Sequence, residues 1–462
     1  MAARRMAQPV KLRNSLKRGR RQRYDTDNFA GAVASRRHLQ PSAFAVLDVH
    51  ARRGRPCALA LTMFLLVFGP VYGAAMRILF STVRDIGHVT PLVPYARRLR
   101  DLGHEVRVAT STDEGAVAAL RKAGLAHAPF DGPTPDQLQA VMKRVGELKG
   151  EEAIAYGFRD GFAGVAARAA MPKLQQTIRE FRPDLVIRES AEFASLIAAE
   201  AAGVPQAGVA VYCSEYESWI AAQVAGAVDQ LRTLVGLKPD NGHAQRSQRT
   251  FTSFPPSFDR GPPLPDRPAS FRVAPEILHA AGALQPDWMP PGDKPFLFMT
   301  FGTVAGRSER VRNAYRVLLE AVGSLPVKAL LTTGPVMPRE ELGVIPDNVR
   351  VEKFVPQVEI MPHTSAVVCH GGSGTLLSTL AMGCPVVVIP LFADQPANAR
   401  AAEASGAGLA VFTHHADEIA KAIHAVLTSE SIRAGAQNIA AELASMHPMN
   451  EAIAEIISIA GK

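Results

Sequence analysis

Two histidines stand where an apolar run gives way to glycine. One lies in Gly87-His88-Val89-Thr90-Pro91 and the other opens His370-Gly371-Gly372-Ser373-Gly374-Thr375. The second segment follows a strand-like run, Ala366–Cys369, and precedes a helix-like run, Leu376–Met382, so its glycines and hydroxyls occupy a strand-to-helix turn. The first N–H groups of a helix have no partner inside it, and the helix dipole places partial positive charge there. Such a turn suits a phosphate dianion or a diphosphate, with His370 aimed at the same oxygens as a hydrogen-bond donor. Taken alone the turn is weak evidence, because many nucleotide-binding folds share it. Pro91 suits the first turn of a helix, which leaves His88 in a loop beyond the first strand. His104, in Leu102-Gly103-His104, reads as a helix-end residue with no catalytic role.

The elements that must hold these segments alternate. Strands are expected at Arg77–Phe80, Glu105–Thr110, Ala126–Phe130, Asp184–Arg188 and Gln206–Tyr212, with helices at Pro91–Leu102, Glu114–Ala123 and Ala191–Ala202. Six prolines between Pro255 and Pro268 allow neither helix nor central strand, and read as loop or linker. The alternation then restarts with strands at Phe296–Phe301, Val327–Thr333, Arg350–Val355, Ala366–Cys369, Pro385–Ile389 and Leu409–Phe412, and a helix at Val311–Val322. This pattern predicts an α/β protein of two doubly wound parallel sheets, residues 76–280 and 281–446, followed by a C-terminal helix at 447–462. Ligands of such sheets sit beyond the carboxyl ends of the strands, so the cleft between the domains is the expected site.

Composition narrows the partners. The net charge of +8 is concentrated in the first 75 residues, which hold 14 Lys and Arg against 3 Asp and Glu. From Met76 onward 37 basic residues face 40 acidic ones, so no nucleic-acid partner is expected. Cys57, Cys213, Cys369 and Cys384 have neither the number nor the spacing of a disulfide scaffold or a metal finger, and read as reduced thiols of a cytoplasmic enzyme. Residues 1–75 are too long and too basic at the front for a signal peptide. The apolar run Cys57–Ala75 has the length of a membrane anchor, but Gly69, Pro70 and Gly73 weaken it. A native start at Met76, which opens Met-Arg-Ile-Leu-Phe, is the preferred reading; a disordered or targeting extension is the other alternative.

Specificity comes from the order of the short segments after the Gly-rich turn: Gly383-Cys384-Pro385, Pro390, Asp394-Gln395, Asn398-Ala399 and Gly406-Ala407-Gly408. The run closely resembles the donor signature of family 1 glycosyltransferases with the GT-B fold, above all the bacterial branch that decorates antibiotics and other natural products. The resemblance extends from Met76 to about Lys462, strong in the C-terminal half and looser in the N-terminal half. It implies two Rossmann-like domains facing each other across a cleft. It also implies that His370, Gly371, Gly372, Ser373, Gly374 and Thr375 bind the donor diphosphate, and that Asp394 and Gln395 bond the sugar hydroxyls. Phe354-Val355-Pro356-Gln357 resembles the segment whose ring stacks on the base. Thr303 matches the hydroxyl residue near the phosphates. Singly, Gly372 and Gly374 could be turn residues, Asp394 a helix cap and His370 a core histidine; their joint order favours the donor site. Two departures stand out. Phe354 replaces the usual Trp, and Ser378 stands where plant members have a Glu that holds the donor ribose. A deoxyribose needs no such partner, which favours a thymidine-diphosphate sugar over a uridine one. Asp25-Thr26-Asp27 resembles the metal-binding motif of another glycosyltransferase class, but lies in the basic tail and is taken as chance.

On the acceptor side, the resemblance makes His88 the general base, a task that suits an imidazole because its proton affinity lies near working pH. The orienting carboxylate falls on Glu189, where many relatives have Asp. Residues 131–160 and 212–235 are expected to line the acceptor pocket, with Tyr156, Phe158, Phe162, Tyr212, Tyr216 and Trp219 as its aromatic lining, although helical spacing equally allows them to be core. The implied reaction is an inverting sugar transfer to a hydroxyl of a hydrophobic small molecule, with no metal or cofactor beyond the sugar nucleotide. A membrane partner is not expected, and a homodimer is left open. Two rivals use the same donor site: a sugar-nucleotide epimerase, which has no use for His88, and a sugar-nucleotide-binding protein without turnover.

Overall fold

Ile78, Leu79 and Phe80 follow one another with no polar residue between them, the pattern of a strand covered on both faces. In the computed structural model they are fully buried in β1 (Arg77–Ser81), at the middle of a seven-stranded sheet. Burying each such side chain contributes about 1.5–3 kcal/mol. The structure describes residues 74–259, 268–276, 294–302, 308–334, 336–413 and 415–461. The extension through residue 73 with its Asp25-Thr26-Asp27 motif, Thr303 and most of the expected junction near residue 280 lie outside these.

From β1 the chain runs through α1 (Val93–Asp101), β2 (Glu105–Thr110), α2 (Glu114–Ala123) and β3 (Ala126–Pro129). Asp113 caps α2 by accepting from the Gly115 and Ala116 N–H groups, and Gly124 ends it in the left-handed conformation. A long excursion comes next: α3 (Pro135–Glu147), α4 (Gly150–Tyr156), a π-helical segment (Gly157–Ala166) and α5 (Ala167–Phe181). A Thr134–Gln137 capping box starts α3. The domain continues with β4 (Leu185–Glu189), α6 (Ala194–Ala201), β5 (Gln206–Val209), α7 (Ser214–Leu234), β6 (Arg249–Thr252) and β7 (Phe271–Arg272). All strand pairs are parallel, in the order β3-β2-β1-β4-β5-β6-β7.

The second sheet is built from β8 (Phe296–Thr300), β9 (Lys328–Thr332), β10 (Val349–Glu352), β11 (Ala366–Cys369), β12 (Val386–Val388) and β13 (Gly408–Ala410). Its order, β10-β9-β8-β11-β12-β13, repeats that of the first sheet without β7. The accompanying helices are α8 (Glu309–Gly323), α9 (Ser373–Ala381), α10 (Gln395–Ala404), α11 (Ala416–Thr428), α12 (Glu430–Ala444) and α13 (Met449–Ala460). In each sheet the strand order reverses beside the first strand, between β1 and β4 and between β8 and β11. The loops that leave those strands therefore diverge and open a crevice.

One expectation needs correction and two gain detail. The C-terminal helix, expected as a separate segment at 447–462, packs on the first domain. Met449, Ala452, Ile453 and Ile456 of α13 are buried in the first domain's core with Ile78 and Phe80, and Glu455 pairs with Arg249 at 3.0 Å. The helix expected from Ala191 begins at Ala194, because the Glu192 carboxylate accepts from the Ala194 and Ser195 N–H groups at 2.8 and 3.2 Å and holds 190–193 as a loop. The proline-rich stretch is not featureless either. Pro256–Phe258 forms a short 3-10 turn, and the Ser257 N–H donates to Glu442 Oε1 at 2.8 Å, joining the two domains. Cys213, Cys369 and Cys384 are buried free thiols. Among the described residues no helix is long and apolar enough to cross a membrane.

Candidate functional site

The crevice of the first sheet holds a hydrogen-bonded histidine and carboxylate. Glu189 ends β4 and is fully buried. Its Oε2 accepts from His88 Nδ1 at 2.9 Å and from the Ala191 N–H at 2.7 Å, and its Oε1 accepts from the Val83 N–H at 3.1 Å. Burial alone would raise the Glu189 pKa; the His88 charge and bond and the two backbone donors outweigh it and hold the carboxyl below its ordinary 4.5. For His88 burial pushes the pKa down, but Glu189, with smaller help from Asp85 and Asp394, wins and raises it above 6.5. An ionised carboxylate can only accept, so Nδ1 carries the proton and Nε2 presents its lone pair. That lone pair faces the Tyr212 hydroxyl at 3.4 Å. His88 does not sit in an open loop as expected. It lies in a short helical turn, Ile86–Val89, whose His88 and Val89 N–H groups both donate to the Asp85 carbonyl, which fixes the ring's approach to Glu189.

Across from it, β11 ends in Cys369 and the chain turns through His370-Gly371-Gly372 into α9. The helix α9 starts at Gly372 with no capping side chain. Two glycines are sterically required here. Gly371 has φ +87°, and a Cβ there would fall 2.7 Å from Val388 Cγ1; a Cβ on Gly372 would fall 2.5 Å from His370 Nε2. The His370 ring is thus wedged between Gly372 and Gly302, and its Nδ1 is buried with no partner among the described residues. Burial lowers its pKa to about 4 against a smaller opposing contribution from the Thr300 carbonyl. A neutral imidazole has one N–H, so the Thr300 carbonyl and a diphosphate oxygen would compete for it.

Asp394, reached through Ala393 in a left-handed conformation (φ 56°) that an alanine adopts only under strain, packs into the same crevice. Its Oδ2 accepts from Asn398 Nδ2 at 2.7 Å and lies 3.2 Å from the Ser373 hydroxyl. Burial raises its pKa to about 6, opposed by those bonds and by the charge of His88. The Ser373 hydroxyl also lies 2.9 Å from the Val211 carbonyl, so it ties the glycine turn to the first domain. Gln395 is buried with its Oε1 accepting from the Leu391 and Phe392 N–H groups at 2.8 and 3.0 Å. Phe354 is 69% exposed just past β10, and Val355 packs beneath it on the core. Gln357 Nε2 donates to Thr375 Oγ1 at 3.2 Å and links this segment to the start of α9. Structurally, then, Ser373 meets Asp394 and Gln357 reaches Thr375, so these parts of the expected donor site come together around the start of α9.

Beside the pair a cavity of 860 Å³ opens between Val83, Phe158, Phe162, Phe193, Leu391 and Phe392. Of the six aromatic residues expected to line it, Phe158 and Phe162 do. Tyr156 lies under the Arg159 guanidinium at 5.6 Å, Trp219 stacks on Tyr216 at 5.5 Å, and Tyr212 is buried against His88. The segment 212–235 lies behind the wall because α7 packs against the π-helical segment, which itself faces the cavity. Leu138, Val141 and Val145 of α3, within the expected segment 131–160 but not singled out there, also line it. Sequence reading missed Leu391, Phe392 and Ala393, which the second domain contributes and which no local pattern marks.

Known proteins share both the sequence pattern and this architecture. Residues 316–459 match the family described as Erythromycin biosynthesis protein CIII-like, C-terminal domain. L-demethylnoviosyl transferase of Streptomyces niveus is 30% identical over 351 residues, covering 75% of this chain and 87% of that protein. The structure of the glycosyltransferase SnogD from Streptomyces nogalater superposes with a TM-score of 0.65 at 26% identity, over 84% of this chain and all of that one. SsfS6, a glycosyltransferase of Streptomyces sp. SF2575 solved with thymidine diphosphate, shares the fold at 24% identity and a TM-score of 0.66, over 83% of this chain and 99% of its own. The chain is a glycosyltransferase of the GT-B fold, and belongs to the family that transfers sugars to antibiotic and other natural-product aglycones.

Proposed function

We propose that the chain moves a sugar from a thymidine-diphosphate donor to a hydroxyl of a large apolar acceptor, with inversion at the anomeric carbon. The observation that carries this reading is the His88–Glu189 bond of 2.9 Å, whose carboxylate is also held by Val83 and Ala191, two residues of the apolar cavity's lining. His88 Nε2 takes the acceptor O–H proton, and Glu189 stabilises the imidazolium that forms. The acceptor oxygen bonds to the anomeric carbon as the bond from that carbon to the diphosphate oxygen breaks, and the nucleoside diphosphate leaves with the electron pair. A single displacement on the face opposite the leaving group inverts the centre. The N–H groups at the start of α9 supply the positive field for the departing diphosphate, and neutral His370 contributes a hydrogen bond and no charge.

The sugar lies against Asp394 and Gln395, and the base stacks on exposed Phe354. Thymidine is favoured because Ser378 offers no carboxylate to a ribose, and SsfS6 binds thymidine diphosphate. The test pairs thymidine- and uridine-diphosphate glucose with a phenolic acceptor, measuring released nucleoside diphosphate and the anomeric configuration of the product by NMR. Turnover confined to the uridine donor would sink the donor assignment, and a product of retained configuration would sink the single displacement.

A further inference from the structure

The strand β4 reads Leu185-Val186-Ile187-Arg188-Glu189, apolar residues and then two charged ones, and every one of them is buried. A guanidinium held away from water is costly unless its N–H groups find acceptors, so an arginine in this place needs a reason. Glu189 has one in its bond to His88. Arg188 takes no part in the reaction described above.

Arg188 and Glu189 are consecutive strand residues, so their side chains leave β4 on opposite faces. Arg188 Nη1 donates to the carbonyls of Glu189, Ser190 and Glu192 at 3.0, 3.4 and 3.4 Å, and its Nε donates to Gln248 Oε1 at 3.2 Å. Residues 190–193 are buried, so these carbonyls cannot turn to water, and leaving one unpaired costs about as much as a lost hydrogen bond. The same short loop serves the site. Its Ala191 N–H donates to Glu189 Oε2 at 2.7 Å, and Ala191, Glu192 and Phe193 line the cavity. Of the backbone N–H groups that hold the Glu189 carboxylate, Val83 comes from the loop after β1, and Ala191 from the loop whose carbonyls Arg188 gathers.

We infer that Arg188 is a positioning residue for the transfer: by binding the carbonyls of residues 189–192 it keeps the Ala191 N–H on Glu189 and so aims the carboxylate at His88. This rests on the reading of His88 as the base given above. Without the guanidinium the carbonyls must find other donors, the loop shifts, and the Ala191 N–H leaves Glu189 Oε2. The carboxylate is then free to turn, and burial, no longer offset by that bond, favours its protonated form. Both changes weaken the negative charge facing His88 Nδ1 while the burial of the ring persists, so the raised pKa of His88 should fall. The other groups that face the ring, Asp85, Asp394 and the Tyr212 hydroxyl, remain in every variant below.

The test titrates the histidine rings of the full chain by NMR, with His88→Ala assigning the His88 signal. It also follows release of thymidine diphosphate from thymidine-diphosphate glucose with 2-naphthol as acceptor. Arg188→Met should lower the His88 pKa and cut kcat by about ten- to a hundredfold, as a small displacement near the reacting groups does, with donor KM unchanged. Arg188→Lys keeps the buried charge, but its nitrogen ends one bond short of Nη1, so the His88 pKa should fall by less. Arg249→Met, on the neighbouring strand β6, removes the ion pair with Glu455 and controls for stability alone: Tm should drop and the His88 pKa should not move. A folded Arg188 variant whose His88 titrates as in wild type overturns the positioning role, and so does an equal fall of that pKa in Arg249→Met. If His88→Ala keeps full turnover, the base reading fails and the positioning role with it. If His88→Ala loses turnover and Arg188→Met does not, the positioning role fails alone. The titration decides that role even where 2-naphthol is not accepted.

Discussion

The two domains share a strand order and put their sites at the same place in it, yet build them from different material. In the first domain the crevice beside β1 and β4 is furnished by side chains: His88 and Glu189, bonded at 2.9 Å, with backbone donors only supporting the carboxylate. In the second, the crevice beside β8 and β11 is furnished by backbone, the start of α9, and its one imidazole is neutral and wedged between glycines. The same burial acts on both histidines and their pKa values still end on opposite sides of the ordinary one, because only His88 has a buried carboxylate beside it. Proton transfer calls for a group that can change charge. Holding a diphosphate calls for donors that do not.

The strongest way to break this contrast is His88→Ala. Transfer should fall by about 10²–10⁴ while thymidine-diphosphate affinity measured by calorimetry stays put. Near-full turnover on a hydroxyl acceptor would move the base elsewhere in the cleft. Glu189→Gln should cost less, and the double variant should be barely worse than His88→Ala alone, because the pair acts as a unit; losses that multiply would dissolve the pair.

The pH profile sharpens the point. The base works neutral, and its pKa is raised, so kcat/KM should fall as pH drops through a value above 6.5. In Glu189→Gln the raising charge is gone and burial dominates, so that limb should move to lower pH. A limb that stays fixed would show that another group titrates.

In the second domain the effects should be smaller and confined to binding. Asp394→Asn should weaken the nucleotide sugar by about 1.5–3 kcal/mol and spare the bare diphosphate, as befits a residue that reads the sugar. Equal losses for both ligands would place it on the diphosphate or on the Ser373 bridge. His370→Ala should weaken thymidine diphosphate by about 1–3 kcal/mol. No change would identify the ring as a wedge that sets Gly302 against Gly372, its N–H spent on the Thr300 carbonyl.

How much of this could be read from the sequence differs between the domains for the same reason. The turn from His370 to Thr375 is contiguous. The positive φ at Gly371 and the clash of a Cβ at 372 with His370 arise within a few residues, so the chain spells much of it out locally, although the close approach of Val388 to Gly371 does not come from nearby sequence. His88 and Glu189 are 101 residues apart, and only the resemblance to known enzymes linked them before the sheet brought β1 and β4 side by side. The aromatic residues show the limit. Phe158 and Tyr212 look alike in sequence, but one faces the cavity and the other faces His88, and which occurs depends on how the π-helical segment seats on α7.

By itself the sequence determined the alternation of strands and helices, the two parallel sheets, and the glycine-rich turn at the start of α9. Each of these arises from hydrophobic spacing or backbone conformation over a short stretch of chain. Only the tertiary structure decided that α13 returns to the first domain, that Ser373 bridges to the Val211 carbonyl, and that Leu391–Ala393 complete a cavity begun by the first domain. These are contacts between surfaces distant in sequence. Their existence depends on which faces are left to be buried once each domain has packed its own core, and no local pattern encodes that remainder.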